Sequence, residues 1–93
     1  MSTTILQPSA CNNMIEVRRG VDAIDEALVE LLSRRFEYMD AAARIKKDRS
    51  SVRDEDRKAQ VIAHVVEAAA RAGIPSAPVS TIWDTLVEAS ISY

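Results

Sequence analysis

Apolar residues recur at alternating spacings of four and three along Val17, Val21, Ile24, Leu28 and Leu31, the mark of a single apolar stripe on an α-helix. No proline interrupts the run before Pro75, and Gly20 lowers helix propensity by about 1 kcal/mol without ending the pattern. The stripe continues through Met39, Ala42 and Ile45 to the charged cluster KKDRSS. It predicts a helix of about 34 residues, about 50 Å long at ~1.5 Å per residue. A second helix follows the Ser50-Ser51 break, with Asp54 in the N-cap position and Glu55 and Asp56 in the first turn, where carboxylates meet free backbone N–H groups. Its stripe is Val61, Ile62, Val65, Val66 and Ala69, and Gly73 stops it ahead of Ile74 and Pro75. The third helix opens at Pro78, with Val79, Ile82, Trp83 and Leu86 as its apolar face. Residues 1–13 are rich in Ser, Thr, Asn and Pro without periodicity and read as a flexible N-terminal tail, leaving 14–93 as the helical domain.

Composition narrows the class without changing that outline. The chain is 47% apolar and 28% charged, with two Gly and three Pro, too apolar for disorder and too poor in β-branched and aromatic runs for a sandwich. The expected fold is all-α, with three helices per chain, one of them long. A 93-residue chain buries only roughly 60% of its unfolded surface, so a monomer is marginal. Its globule is about 30 Å across, shorter than the first helix, whose protruding apolar half needs a cover. A second copy laid antiparallel supplies one, so a homodimer is expected. The net charge of -2 gives no general attraction to nucleic acid or anionic membrane. Cys11 is the single cysteine and forms no internal disulfide. No run approaches the roughly 18 apolar residues of a membrane span, and the opening MSTTILQPSACNN lacks the basic start and apolar core of a signal peptide. A cytoplasmic location follows as the expectation.

Polar residues on the apolar stripe carry the chemistry. Four residues after Leu31 the stripe lands on Arg35, and a guanidinium on a packed face needs an anion. Lys46 lies eleven residues later, almost three full turns, pointing the same way from about 16 Å further along the axis. The plain alternative is that both snorkel outward or pair with carboxylates such as Asp25 or Glu30. Arg18 precedes Arg35 by seventeen residues, about 25 Å along the helix and about 100° around it. It shares no site with Arg35 of its own chain, but in an antiparallel dimer it can reach the partner's Arg35 and Lys46. A solvated arginine is the alternative there.

Eleven of the twelve cations fall between Arg18 and Lys58, and the segment RIKKDRSSVRDEDRK, residues 44–58, holds seven cations and four acids. It is either an anion-recognition region or a solvated turn. Ser90 continues the apolar face of the third helix, where its hydroxyl faces a cleft or bonds back to its own helix. His64 has no second ligand at metal spacing, so no metal site is expected. Trp83 and Tyr38 read as packing residues. No Gly-rich phosphate loop, nucleophile elbow or triad is present.

From Val17 onward the chain resembles the all-helical class of chorismate mutases. The resembling segments are VRRGVDAIDEALVELLSRRFEYMDAAARIKK, VRDEDRK and the terminal IWDTLVEASISY. Arg18, Arg35, Lys46, Asp54, Arg57 and Ser90 fall on that family's substrate-binding positions. The resemblance implies an intertwined homodimer in which the N-terminal arginine crosses into the partner's site. It implies rearrangement of chorismate, a dicarboxylate, to prephenate on the shikimate route to aromatic amino acids, with no acid, base or cofactor. Arg18 of one subunit and Arg35 of the other would clamp the two carboxylates in a reactive chair, with Arg57 assisting. Lys46 would donate to the ether oxygen as negative charge builds there. Asp54 and Ser90 would line the pocket.

Two positions depart from the family. Lys58 stands where well-studied members carry a glutamate that receives the ring hydroxyl, so hydroxyl recognition is expected to differ. Four residues beyond Ser90 the family places a Gln or Glu as a second donor to the ether oxygen, and the sequence reaches only Tyr93. Without that donor catalysis is expected to be weak; a glutamate there would have to be protonated, favouring low pH. Isochorismate-pyruvate lyases, which make salicylate and pyruvate, resemble the chain as well and lack the same glutamate. A non-catalytic helical dimerisation module is the alternative from another class.

Overall fold

The computed structural model describes residues 5–46 and 54–93 and places a short 3-10 helix at Pro8–Ala10 and three α-helices among them. These are α1 (Met14–Ile45), α2 (Glu55–Ala72) and α3 (Ser76–Ser92). The described residues contain no strand, so the all-α class holds. The long helix implied by the stripe is one element of 32 residues, about 48 Å from end to end at ~1.5 Å per residue. Its first turn is set by two bonds: the Glu16 N–H donates to Asn13 Oδ1 at 2.9 Å, and the Asn12 N–H donates to Glu16 Oε1 at 2.8 Å. Asn13 thus caps the helix, and Glu16 reaches back to the residue before the cap, satisfying two N–H groups that lack an intrahelical acceptor. The last turn closes with the Lys46 N–H donating to the Ala42 carbonyl at 2.8 Å.

The Ser50-Ser51 break, with the rest of 47–53, lies outside the described residues. Helix α2 then starts as its sequence indicates. Asp54 is extended, and its Oδ1 accepts the Arg57 N–H at 3.0 Å. Gly73 ends α2 with φ 75°, a left-handed conformation that costs an L-residue about 1–2 kcal/mol and glycine almost nothing. The turn is completed by the Ile74 N–H donating to the Ala69 carbonyl at 2.8 Å, a Schellman closure. Helix α3 begins at Ser76, two residues ahead of the expected Pro78. The first N–H groups of a helix have no intrahelical acceptor, so Pro78 sits in the third helical position without removing a bond.

Backbone proximity divides the chain into two compact units, Met1–Tyr38 and Met39–Tyr93, the boundary falling within α1. The second unit holds the hydrophobic core of the described residues: Ala69 from α2, with Val79 and Val87 from α3. Val61, Ile62, Val65, Val66, Trp83 and Leu86 are half-buried. Ile82, which the spacing puts on the packed face, is instead 57% exposed, and Val87 is buried in its stead. The packed ridge of α3 is the row of every fourth residue, Val79, Trp83 and Val87, and Ile82 is not on it.

In the first unit the apolar stripe of α1 is uncovered. Val17, Val21, Ile24, Leu28 and Leu31 are all between 38% and 61% exposed, and no residue of α1 is fully buried. A row of five aliphatic side chains is a surface that folding of one chain leaves unfinished.

Candidate functional site

The first unit carries two of the expected site residues. Arg18 is exposed in the second turn of α1, just past the cap that starts the helix, and Arg35 is half-buried seventeen residues further on. Both lie on one continuous helix, so about 25 Å of axial rise separates them. Within one chain they serve no common small ligand.

The second unit carries the other four. Lys46 is exposed directly after α1. Asp54 and Arg57 share the start of α2, both exposed, with the Asp54 carboxylate accepting the Arg57 backbone N–H. That bond gives Asp54 a structural task whatever else it touches. Asp54→Ala is expected to lower unfolding free energy by about 1 kcal/mol, while Asp54→Asn, an equally good cap, leaves it nearly unchanged. Urea unfolding of the two variants checks this, and an alanine variant as stable as the parent would remove the cap from the account. Ser90 is half-buried, and its hydroxyl donates to the Leu86 carbonyl at 2.8 Å. The back-bonded alternative is therefore realised for this residue.

Two polar links in this unit were not legible in the sequence. The Tyr93 hydroxyl donates to the Asp40 carboxylate, and that bond is the first cause raising the phenol above its ordinary pKa of 10.0. A raised folded-state pKa favours the protonated phenol, so this contribution to stability is complete below pH 10 and disappears as pH climbs through the raised value. The link ties the end of α3 to the last turns of α1, which lead into Lys46. The second link is made by Lys58. Its ammonium lies 2.8 Å from Asp84 Oδ1 and 2.8 Å from Glu88 Oε2, and hydrogen bonds to Asp84 and then Glu88 raise its pKa. Acids four apart on α3 and a lysine on α2 are each visible as residues, but only the packing of the two helices brings them together.

Tyr38 is 70% exposed, so in the single chain it is not the packing residue its type suggested, whereas Trp83 is half-buried. His64 is exposed, and the described residues hold no group of three or more His, Cys, Asp or Glu arranged for a metal ion. None of the described helices is long and apolar enough to cross a membrane. Lys47, Arg49 and Arg53 of the basic segment lie outside the described residues.

Comparison with known proteins adds identity to this geometry. The family described as chorismate mutase type II matches residues 17–93. An isochorismate pyruvate lyase from Pseudomonas aeruginosa is 31% identical over 55 residues, covering 59% of this chain and 54% of the lyase. The chain thus spans about half the length of that curated relative. No solved structure matches.

Proposed function

Because the chain belongs to the chorismate mutase type II family, we propose that it is a chorismate mutase working as a homodimer with two shared active sites. The observation that carries this is the coincidence of the family match with three cations, Arg18, Arg35 and Lys46, along α1 and its end. In each site Arg18 of one subunit and Arg35 of the other hold the two carboxylates of chorismate. Arg57 adds charge at the carboxylate end, and Asp54 and Ser90 line the pocket, the latter as an acceptor because its hydroxyl hydrogen is donated to Leu86.

The reaction is an intramolecular rearrangement: the ether C–O bond breaks as a C–C bond forms, and no group leaves. No nucleophile or cofactor is required. Two contributions suffice, namely restriction of the flexible enol-pyruvyl arm to the chair in which the carbons meet and a cation at the ether oxygen. Lys46 supplies the second. Its donation strengthens as charge develops, so it lowers the barrier more than it strengthens substrate binding.

The homodimer is supported by the uncovered stripe of α1. Each of its aliphatic side chains contributes about 1.5–3 kcal/mol on full burial, and a second copy of the same stripe is its self-complementary cover in a two-fold pair. The reaction is assigned to the cytoplasm, where a chain with one cysteine needs no oxidising compartment.

A second reading, isochorismate-pyruvate lyase, is favoured by the name of the Pseudomonas relative. Supplying purified protein with chorismate and isochorismate separately, and identifying products by chromatography, decides between them. Prephenate from chorismate is the expected result. Salicylate and pyruvate from isochorismate, with chorismate untouched, would replace the mutase reading by the lyase, and no product from either would leave a dimerisation module.

A further inference from the structure

We propose that Lys58 is a positioning residue for this reaction: it clamps the first turn of α2, which carries Arg57, against the stretch of α3 that leads to Ser90. The proposal rests on the mutase reading for its link to substrate, but its geometry stands alone. Lys58 is the fourth residue of α2, and its N–H donates to the Asp54 carbonyl at 2.9 Å. Its ammonium reaches across to α3 and lies between Asp84 and Glu88, at 2.8 Å from each.

The side chain is 18% exposed, against 63% for Arg71 in the i,i+4 pair with Glu67. The Arg71 pair lies within one helix and restrains nothing else, whereas Lys58 joins two helices, its own side chain largely covered while the Asp84 and Glu88 side chains are 55% and 40% exposed. An ammonium has three N–H donors and no acceptor, and two carboxylates already claim it. Its charge is therefore committed to α3.

Asp84 and Glu88 are spaced i,i+4, so their carboxylates face one another on one side of α3, an arrangement that is destabilising for like charges. Lys58 turns that repulsion into a bidentate seat. Arg57 precedes Lys58 directly, and Ser90 follows Glu88 by two residues. The ion triad thus fixes the register between the two helix segments from which these side chains project.

Lys58→Met keeps the length and apolar stem while removing the charge. It is expected to raise KM for chorismate on the order of fivefold with kcat little changed, the size of a partly covered ion-pair contribution. It is also expected to speed backbone amide exchange in the first turns of α2. The double variant Lys58→Glu with Asp84→Lys restores an opposite-charge pair across the same contact and is expected to return both KM and exchange toward the parent values. Rescue of amide exchange, measured without substrate, separates a clamp from a direct substrate contact; recovery of KM alone does not, because a glutamate introduced at position 58 is also the residue with which family members receive the ring hydroxyl.

Should Lys58→Met fail to fold, Asp84→Asn removes one partner, leaves the ammonium, and is expected to give the same changes at smaller amplitude. Parent-like KM and exchange in Lys58→Met, or a double variant whose KM stays high, would overturn the proposal. Amide exchange is measured without substrate, so it tests the clamp even if neither chorismate nor isochorismate is turned over.

Discussion

Under the proposed mutase mechanism Lys46→Ala is expected to lower kcat on chorismate by about 10²- to 10³-fold, the loss seen when a single donor to a developing oxyanion is removed. The reasoning is specific to the transition state. In the substrate the ether oxygen carries little charge, so removing Lys46 costs little binding; as the C–O bond stretches, the missing cation is felt in full. KM is therefore expected to move much less than kcat. The helices and the proposed dimer should be unaffected, because Lys46 is exposed and only its backbone N–H, which alanine keeps, closes the last turn on Ala42. Steady-state kinetics beside circular dichroism and sedimentation velocity make the test. A well-folded alanine variant with parental kcat removes Lys46 from the mechanism.

Arg18→Ala and Arg35→Ala are each expected to be inactive as homodimers, and a mixture of the two to regain activity. Each proposed site takes Arg18 from one subunit and Arg35 from the other. In a heterodimer of the two variants one site lacks both arginines, and the other has both. Random exchange makes about half the dimers mixed, so about a quarter of parental sites reappear. Were the two arginines to serve one site within a single chain, mixing would recover nothing. The prediction follows from the helix itself: the two residues are seventeen positions apart on one continuous α1, about 25 Å at ~1.5 Å per residue, longer than any dicarboxylate of this class. Activity after co-refolding the two variants at equal concentration is the measurement, and failure to recover counts against the crossing arginine and the shared site together.

The parts of the fold legible in the sequence are those governed by near neighbours. Helix α1 announces itself through the three-and-four spacing of Val17 to Leu31, α2 through Asp54 at one end and Gly73 at the other. Caps and stop signals act over one turn, so the residues that form them lie close in the sequence. Helix α3 starts two residues ahead of Pro78, because proline is tolerated throughout the first helical turn and so marks its neighbourhood only. Spacing favours Ile82 although Val87 is the buried residue, because several rows on a helix surface are apolar. Which row becomes the packed ridge depends on the neighbour it meets.

The candidate site divides in the same way. Arg35 on the α1 stripe is an anomaly of one helix and visible as such, and the distance from Arg18 to Arg35 needs only the helical rise. The family resemblance from Val17 onward rests on motif spacing and is matched over residues 17–93. By contrast, Ser90 faced two local fates that periodicity could not separate, and its bond to Leu86 is one of them. Lys58 is legible in the sequence as a departure from the family's glutamate, but its partners Asp84 and Glu88 come only from the packing of α2 on α3.

Sequence alone determined the helical class, the ends of α2, the length of α1, and the impossibility of one chain gathering Arg18 and Arg35, since all of these follow from backbone geometry repeated along a few turns. Tertiary structure decided which faces are buried and which charges are spent: Val87 over Ile82, Lys58 on two carboxylates of α3, and Tyr93 on Asp40. Such pairings depend on the roll and register between helices, a balance of many weak contacts made between residues tens of positions apart, and no local rule along the chain encodes that balance.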